Sequence, residues 1–378
     1  MLAWLNLDQR VFKNFNYLLM IQLLPLFFIS SWLIYEINPA LFMKQMIYYL
    51  VAMIVFMGAV ITPWRLILWW FAPVFYVGVL LLLLAVDIFG ISILGAQRWL
   101  VIPGVGLTIQ PSEFMKIAVL MMLGTIIYKN PPPAEGYGIK MFAILSALIL
   151  LPFVLIAKEP DLGTAMVLLL VGFGVLFMVG IEKKILIALA ILVVTTAPVM
   201  YKYGLKDYQK ERIVDAVSSP SYHVEQSLIA IGSGGFSGQT KDESTQTQMK
   251  FLPISSSDFI FAYLGERFGM LGMGGVLILY ILLILHLFYI STKEFIDGLE
   301  RVFAAGISWL FFVYMGVNVY MVIGMAPVVG IPLPMFSHGG TSFIVFAFLF
   351  GVLQNLLAFK YYLGYNSDAK ISLTKKDF

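Results

Sequence analysis

FLPISSSDFIFAYLGERFG, residues 251–269, passes from a polar loop into an apolar helix within a few positions. Asp258 stands at the turning point and is the only acid between positions 244 and 265. No basic residue lies between Lys250 and Arg267 to pair with it along the chain. The apolar run that follows, 259–290, is too long for a simple membrane span. At 1.5 Å per residue it reaches about 48 Å, against a hydrocarbon core of about 30 Å. Such a helix either bends, with Gly269, Gly272, Gly274 and Gly275 as places to do so, or projects outward. Projection would lift Asp258 to the level of the lipid headgroups. The acid then reads in two ways: as a helix cap, or as a group that acts on a polar part of a lipid.

The rest of the chain sets the solvent. Of its 378 residues, 61% are hydrophobic and 12% charged. A soluble domain carries about 25% charged residues, so the chain is an integral membrane protein. Cysteine is absent, which excludes disulfides and thiolate chemistry. The three histidines, His223, His286 and His338, lie far apart and make no metal motif. A net charge of +3 gives no reason to expect a nucleic-acid partner. Neither GxxxxGK[ST] nor HExxH occurs, and the glycine-rich GSGGFSG (232–238) follows no strand, so a nucleotide role for it is disfavoured. The first apolar run is long enough to span, which argues against a cleaved signal peptide.

Ten apolar stretches are expected to cross: 17–35, 46–62, 69–87, 112–128, 140–157, 162–180, 184–201, 259–290, 302–323 and 341–359. The fold class is therefore all-α and polytopic, a single membrane domain over 1–378. With both termini cytoplasmic, inner segments carry thirteen Lys and Arg against three on the short outer loops. The positive-inside rule then places the N-terminus and the 360–378 tail in the cytoplasm. The outer face receives 89–112, the turn KEPDLGTA (158–165) and one large loop, 202–257, between the seventh and eighth spans. No internal repeat or matched pair of broken helices stands out, which disfavours an inverted-repeat transporter.

Charges inside such a chain are costly and are paired or functional. In QPSEFMK (110–116), Pro111 and Ser112 read as a helix start with Ser112 a possible N-cap. Glu113 and Lys116 are three apart and share a face. They are either an intrahelical ion pair that helps insertion or the wall of a polar cavity, and both can hold together. Asp161 opens the sixth span as a cap or as an acid facing the same outer cavity as Glu113. LPMFSHGGTS (333–342) enters the last span through two glycines and two hydroxyls, either ordinary capping or a phosphate-binding helix start. Arg98 and Trp99 offer a cation and an interfacial aromatic, or a membrane-belt anchor.

Taken in order, GAQRWL (95–100), QPSEFMK (110–116), KEPDLGTA (158–165), DYQKERI (207–213), QSLIAIGSGGFSG (226–238), FLPISSSDFIFAYLGE (251–266) and VVGIPLPMFSHGGTS (328–342) resemble the SEDS family, the proteins of shape, elongation, division and sporulation. GAQRWL and VVGIPLPM are closer to its elongation branch, the RodA type, than to its division branch. The resemblance covers about 15–360. It departs at Ser256-Ser257, where His-Thr or a similar pair is usual, at Arg267 in place of a second acid, and at His338 in place of Tyr.

The resemblance implies a peptidoglycan glycosyltransferase of the cytoplasmic (inner) membrane. It would polymerise lipid II on the outer face, extend a lipid-linked glycan for rod-shaped growth, and work with a class B penicillin-binding protein and other elongation-complex membrane proteins. Asp258 aligns with the family's catalytic acid and would take a proton from the acceptor 4-hydroxyl in an inverting β-1,4 transfer. Lys116, Arg98 or Arg212 would face the departing pyrophosphate, with a divalent cation (Mg or Mn) as an open option. Glu113 would orient Lys116, and Asp161 would line the cavity. Gln226, Ser337 and Ser342, within the matched motifs, would contact substrate. Two other classes compete: a lipid II flippase, which calls for polar residues at both depths, and a scaffold that only activates a partner and tolerates Asp258→Ala.

Overall fold

The computed structural model describes residues 13–93, 96–101, 108–159, 161–204, 210, 221–252, 254–293 and 298–359. Long apolar helices fill the chain: α1 Tyr17–Ile37, α2 Pro39–Ile61, α3 Trp64–Phe89, α4 Pro111–Lys129, α5 Ile139–Lys158, α6 Leu162–Val179 and α7 Lys183–Val199. In the long loop lie α8 Tyr222–Gly234 and α9 Thr245–Gln248, and after it α10 Ile260–Thr292, α11 Gly298–Val322 and α12 Gly340–Ala358. Among the described residues, nine helices are long and apolar enough to cross a membrane. The seventh expected span is the short α7, 17 residues that run on into a π-helical turn, Met200–Gly204.

Local chemistry sets several ends. Asn38 closes α1 and caps α2, its side chain accepting from the Ala40 N–H at 2.9 Å, with Pro39 first in the helix. The second span therefore starts well before the expected position 46, and the connection between α1 and α2 is a single residue. The fourth span begins at Pro111 as expected, but its N-cap is Gln110. Ser112 is buried inside the first turn and does not cap. The segment before it is not wholly irregular: β1 Ile91–Ile93, β2 Ala96–Val101 and β3 Thr108–Ile109 form a small antiparallel sheet that carries Arg98.

The centre of the bundle is α4, α11 and α12. Phe311 packs edge-on to Phe346 at 5.1 Å and to Phe350 at 5.6 Å. α2 packs on α12, α10 and α6 on α11, and α3 on α4. α7 stands apart: of its side chains described, only Ile185 is buried.

The over-long helix bends rather than projects. Gly269 breaks α10 with φ 60° and ψ −159°, a backbone that side chains resist. The part beyond it, 270–292, is about 34 Å long and suits the hydrocarbon core. A break frees N–H groups at the new helix start. Here Met270 N–H donates to the Gly235 carbonyl at 2.9 Å and Leu271 N–H to Phe236 at 3.2 Å. The glycine-rich stretch of the loop thus caps the break. It needs its glycines for closeness: a Cβ on Gly234 would fall 1.9 Å from the Gly265 carbonyl oxygen.

Candidate active site

Asp258 is carried by the turn that leads into α10. It does not cap that helix: the N-cap is Phe259, with no side-chain cap bond. Its Oδ1 instead accepts from the Ser257 hydroxyl at 3.0 Å. The main chain beneath it is bolted down residue by residue. The Ser256 carbonyl accepts from His338 N–H at 2.9 Å, the Ser257 carbonyl from the Ser337 hydroxyl at 2.7 Å, and the Asp258 carbonyl from Asn318 Nδ2 at 2.8 Å. Asp258 as a residue is half-buried. Burial raises its pKa above the ordinary carboxylate range, against the Ser257 hydrogen bond and the nearby charge of Arg98, which lower it.

Arg98 and Asp161 meet across about sixty residues of sequence, Nη1 to Oδ1 at 3.3 Å. The cap reading of Asp161 holds. It caps α6 through the Thr164 N–H at 3.2 Å, and its other oxygen accepts from Gln110 Nε2 at 3.0 Å. It is 3% exposed. Deeper in the same wall, Lys116 Nζ donates to Glu113 Oε1 at 2.6 Å and to the Tyr314 hydroxyl, and lies 4.8 Å from that ring's centre. Lys116 is itself 2% exposed, so its charge is spent inside the protein. Arg98 Nε, Ser112 Oγ and Glu113 Oε2 are buried with no hydrogen-bond partner among the described residues. Buried polar atoms left open in this way are the exception, and ligand contacts are one explanation.

The other expected contacts fare differently. Ser337 holds up the Asp258 turn and ties its own loop, accepting from Leu333 N–H at 2.8 Å. Gln226 on α8 and Ser342 in the first turn of α12 are half-buried, and no described hydrogen bond brings them to the cluster. Arg212 lies outside the described residues. Arg267, at the place of a usual acid, makes a two-pronged pair with Glu36 of α1 at 2.7 and 2.8 Å. The acid beside it, Glu266, accepts from Gln246 and Thr247 of the loop. Asn318, Tyr314 and Gln110 escaped the sequence reading; as lone polar residues in apolar or motif-bordering stretches, they carry no local signature. No group of three or more His, Asp or Glu side chains able to hold a metal ion exists among the described residues.

The family model of the FtsW, RodA and SpoVE cell cycle proteins matches residues 7–362. The chain belongs to the SEDS family. A relative from Helicobacter pylori, peptidoglycan glycosyltransferase MrdB, is 50% identical over 362 residues, covering 96% of this chain and 94% of its own. The Escherichia coli K12 protein of the same name is 40% identical over 294 residues, covering 75% and 77%. A solved structure described as structural coordination of polymerization and crosslinking by a peptidoglycan synthase complex superposes with TM-score 0.79 at 25% identity, covering 92% of this chain and 98% of that one.

Proposed function

We infer that this SEDS member is a peptidoglycan glycosyltransferase that polymerises lipid II, with Asp258 as its general base. One observation carries the assignment of the base: an acid at a helix start is not used as a cap, is partly open, and sits on three anchored carbonyls within the field of Arg98. In the reaction Asp258 takes the proton of the acceptor 4-hydroxyl. That oxygen attacks the anomeric carbon of the lipid-linked donor from the face opposite the leaving group, the bond to phosphate breaks, and undecaprenyl pyrophosphate departs with the electron pair. The result is inversion and a β-1,4 bond.

Arg98 is the described cation suited to the pyrophosphate, because part of its side chain is open. Lys116 and Glu113 shape and polarise the wall behind it, and Asp161 aims Arg98. The described residues bring no three His, Asp or Glu side chains together for a metal ion, so a divalent cation (Mg or Mn) would be held largely by the pyrophosphate itself. The likeness to a synthase complex and to MrdB relatives supports work beside a class B penicillin-binding protein in elongation.

The Lys and Arg distribution supports a single domain in the inner membrane with N- and C-termini inside, loop 202–257 outside and 360–378 a cytoplasmic tail. With no native cysteine, Asp242→Cys should label from outside and Lys184→Cys from inside, and the reverse pattern would overturn the outer-face mechanism. The central test is glycan synthesis from lipid II by the purified protein, with and without the penicillin-binding protein. Chains made by wild type and not by Asp258→Asn support the assignment. Transbilayer movement of lipid II without chains would favour a flippase, and full function in Asp258→Ala a scaffold.

A further inference from the structure

We propose that Asn318 is the positioning residue of Asp258: a single side-chain amide ties the Asp258 carbonyl to the Ile331 carbonyl and so fixes the carboxylate against the backbone at Gly330. The proposal rests on the reading of Asp258 as the base. Asn318 lies on α11 and is 0% exposed. A primary amide nitrogen carries two hydrogens. Asn318 Nδ2 spends both on main-chain oxygens, Asp258 at 2.8 Å and Ile331 at 2.7 Å.

These two oxygens belong to the two segments between which the acid works. The first is the turn that carries Asp258. The second is the wall it faces: a Cβ added to Gly330, which has φ +67°, would lie 3.4 Å from Asp258 Oδ2. The same wall rests on the start of α6, where a Cβ on Gly163 would fall 2.8 Å from the Val329 carbonyl oxygen. Asp161, the partner of Arg98, caps that helix. The spacing set by Asn318 therefore registers the base against the wall and, through it, against the helix start that aims Arg98.

The residue is poorly suited to a purely structural part. Its Oδ1 is buried and finds no hydrogen-bond partner among the described residues. An unmet buried acceptor is destabilising. What an amide supplies and an apolar residue of like size does not is the pair of donors, and both go to the site.

The test uses the full-length protein with lipid II and measures kcat, KM and thermal unfolding for Asn318→Leu, which keeps the volume and removes both donors. Displacing a catalytic group by about 1 Å costs up to about 100-fold in rate, so kcat should fall about 10- to 100-fold with KM unchanged. Built into Asp258→Asn, the same change should cost nothing further, because its effect runs through the acid. Asn318→Gln, which keeps both donors but moves them by about one methylene, should fall between. A folded Asn318→Leu with wild-type kcat overturns the proposal, as does an equal loss in the Asp258→Asn background. Should Asn318→Leu not fold, Asn318→Gln decides: lowered kcat at unchanged KM supports the proposal and wild-type kcat overturns it. Wild-type polymerisation by Asp258→Asn alone would sink the base reading, whatever Asn318 does.

Discussion

Two arginine–carboxylate pairs stand at opposite ends of the bundle. At the end away from the Asp258 turn, Arg65 at the start of α3 and Glu300 on α11 close on each other, with side chains 7% and 0% exposed, and Arg65 also donates to the Leu356 carbonyl of α12 at 3.1 Å. Beside Asp258, Arg98 holds Asp161 at a longer 3.3 Å, and its side chain is 23% exposed. The first pair joins α3, α11 and α12 and is shut. The second leaves part of a cation open next to a carboxylate that caps nothing. A membrane protein tolerates both because each charge has a partner. The difference lies in what remains available afterwards, and only the second leaves charge for a substrate.

The comparison breaks most sharply at the acid. Asp258→Asn should lower polymerisation about 10²–10⁴-fold, the usual worth of a general base. Thermal stability should stay near wild type, since no helix cap is lost. A wild-type rate in gel-resolved product would leave Asp258 without a catalytic part.

The two arginines should then separate activity from stability. Arg65→Ala takes the guanidinium away from the buried Glu300 carboxylate and should cost up to about 3–5 kcal/mol of stability. Arg98→Ala should cost less, because Asp161 keeps Gln110 and Thr164 as donors. It should instead lower kcat about 10²-fold by removing a donor to the leaving group. Parallel unfolding and turnover measurements check both, and equal stability losses would erase the distinction drawn here.

The Glu113–Lys116 pair sharpens the comparison further, since it is as shut as the Arg65 pair yet lies at the site. Glu113→Ala and Lys116→Ala should each destabilise, and the double change should be milder than their sum by about 0.5–3 kcal/mol. Polymerisation by the double variant should still be impaired. Normal activity there would reduce the pair to a bolt like Arg65–Glu300.

The smallest effect is in pH. Asp258 must be ionised to accept a proton, so the rate falls as pH drops through its pKa. Burial raises that pKa, which puts the acid limb above the position of an exposed aspartate. The Ser257 hydroxyl favours the ionised form and lowers it. Ser257→Ala should therefore move the limb further up in pH with the plateau rate little changed. A limb that moves down would contradict the hydrogen bond's direction.

The sequence alone determined that this is a polytopic helical membrane protein and located most of its apolar helices, though not all their ends, because twenty apolar residues in a row have one solvent in which they are stable. It picked out Asp258, Glu113, Lys116 and Asp161, because a charge within or beside such a run stands out against it. It also left open whether the long helix bends or projects, whether Asp258 is a cap, and which cation lies near it. Those were decided by contacts between distant segments. Gly269 bends where the loop at 235–236 returns to cap the break, and the turn that carries Asp258 is held by Ser337, His338 and Asn318 from distant parts of the chain. Arg98 is aimed by an acid on another helix, and Asn318 reaches the Asp258 carbonyl from 60 residues away. An asparagine or tyrosine in an apolar helix looks the same whether it faces lipid or a carbonyl oxygen, and the direction it faces is fixed by packing between helices.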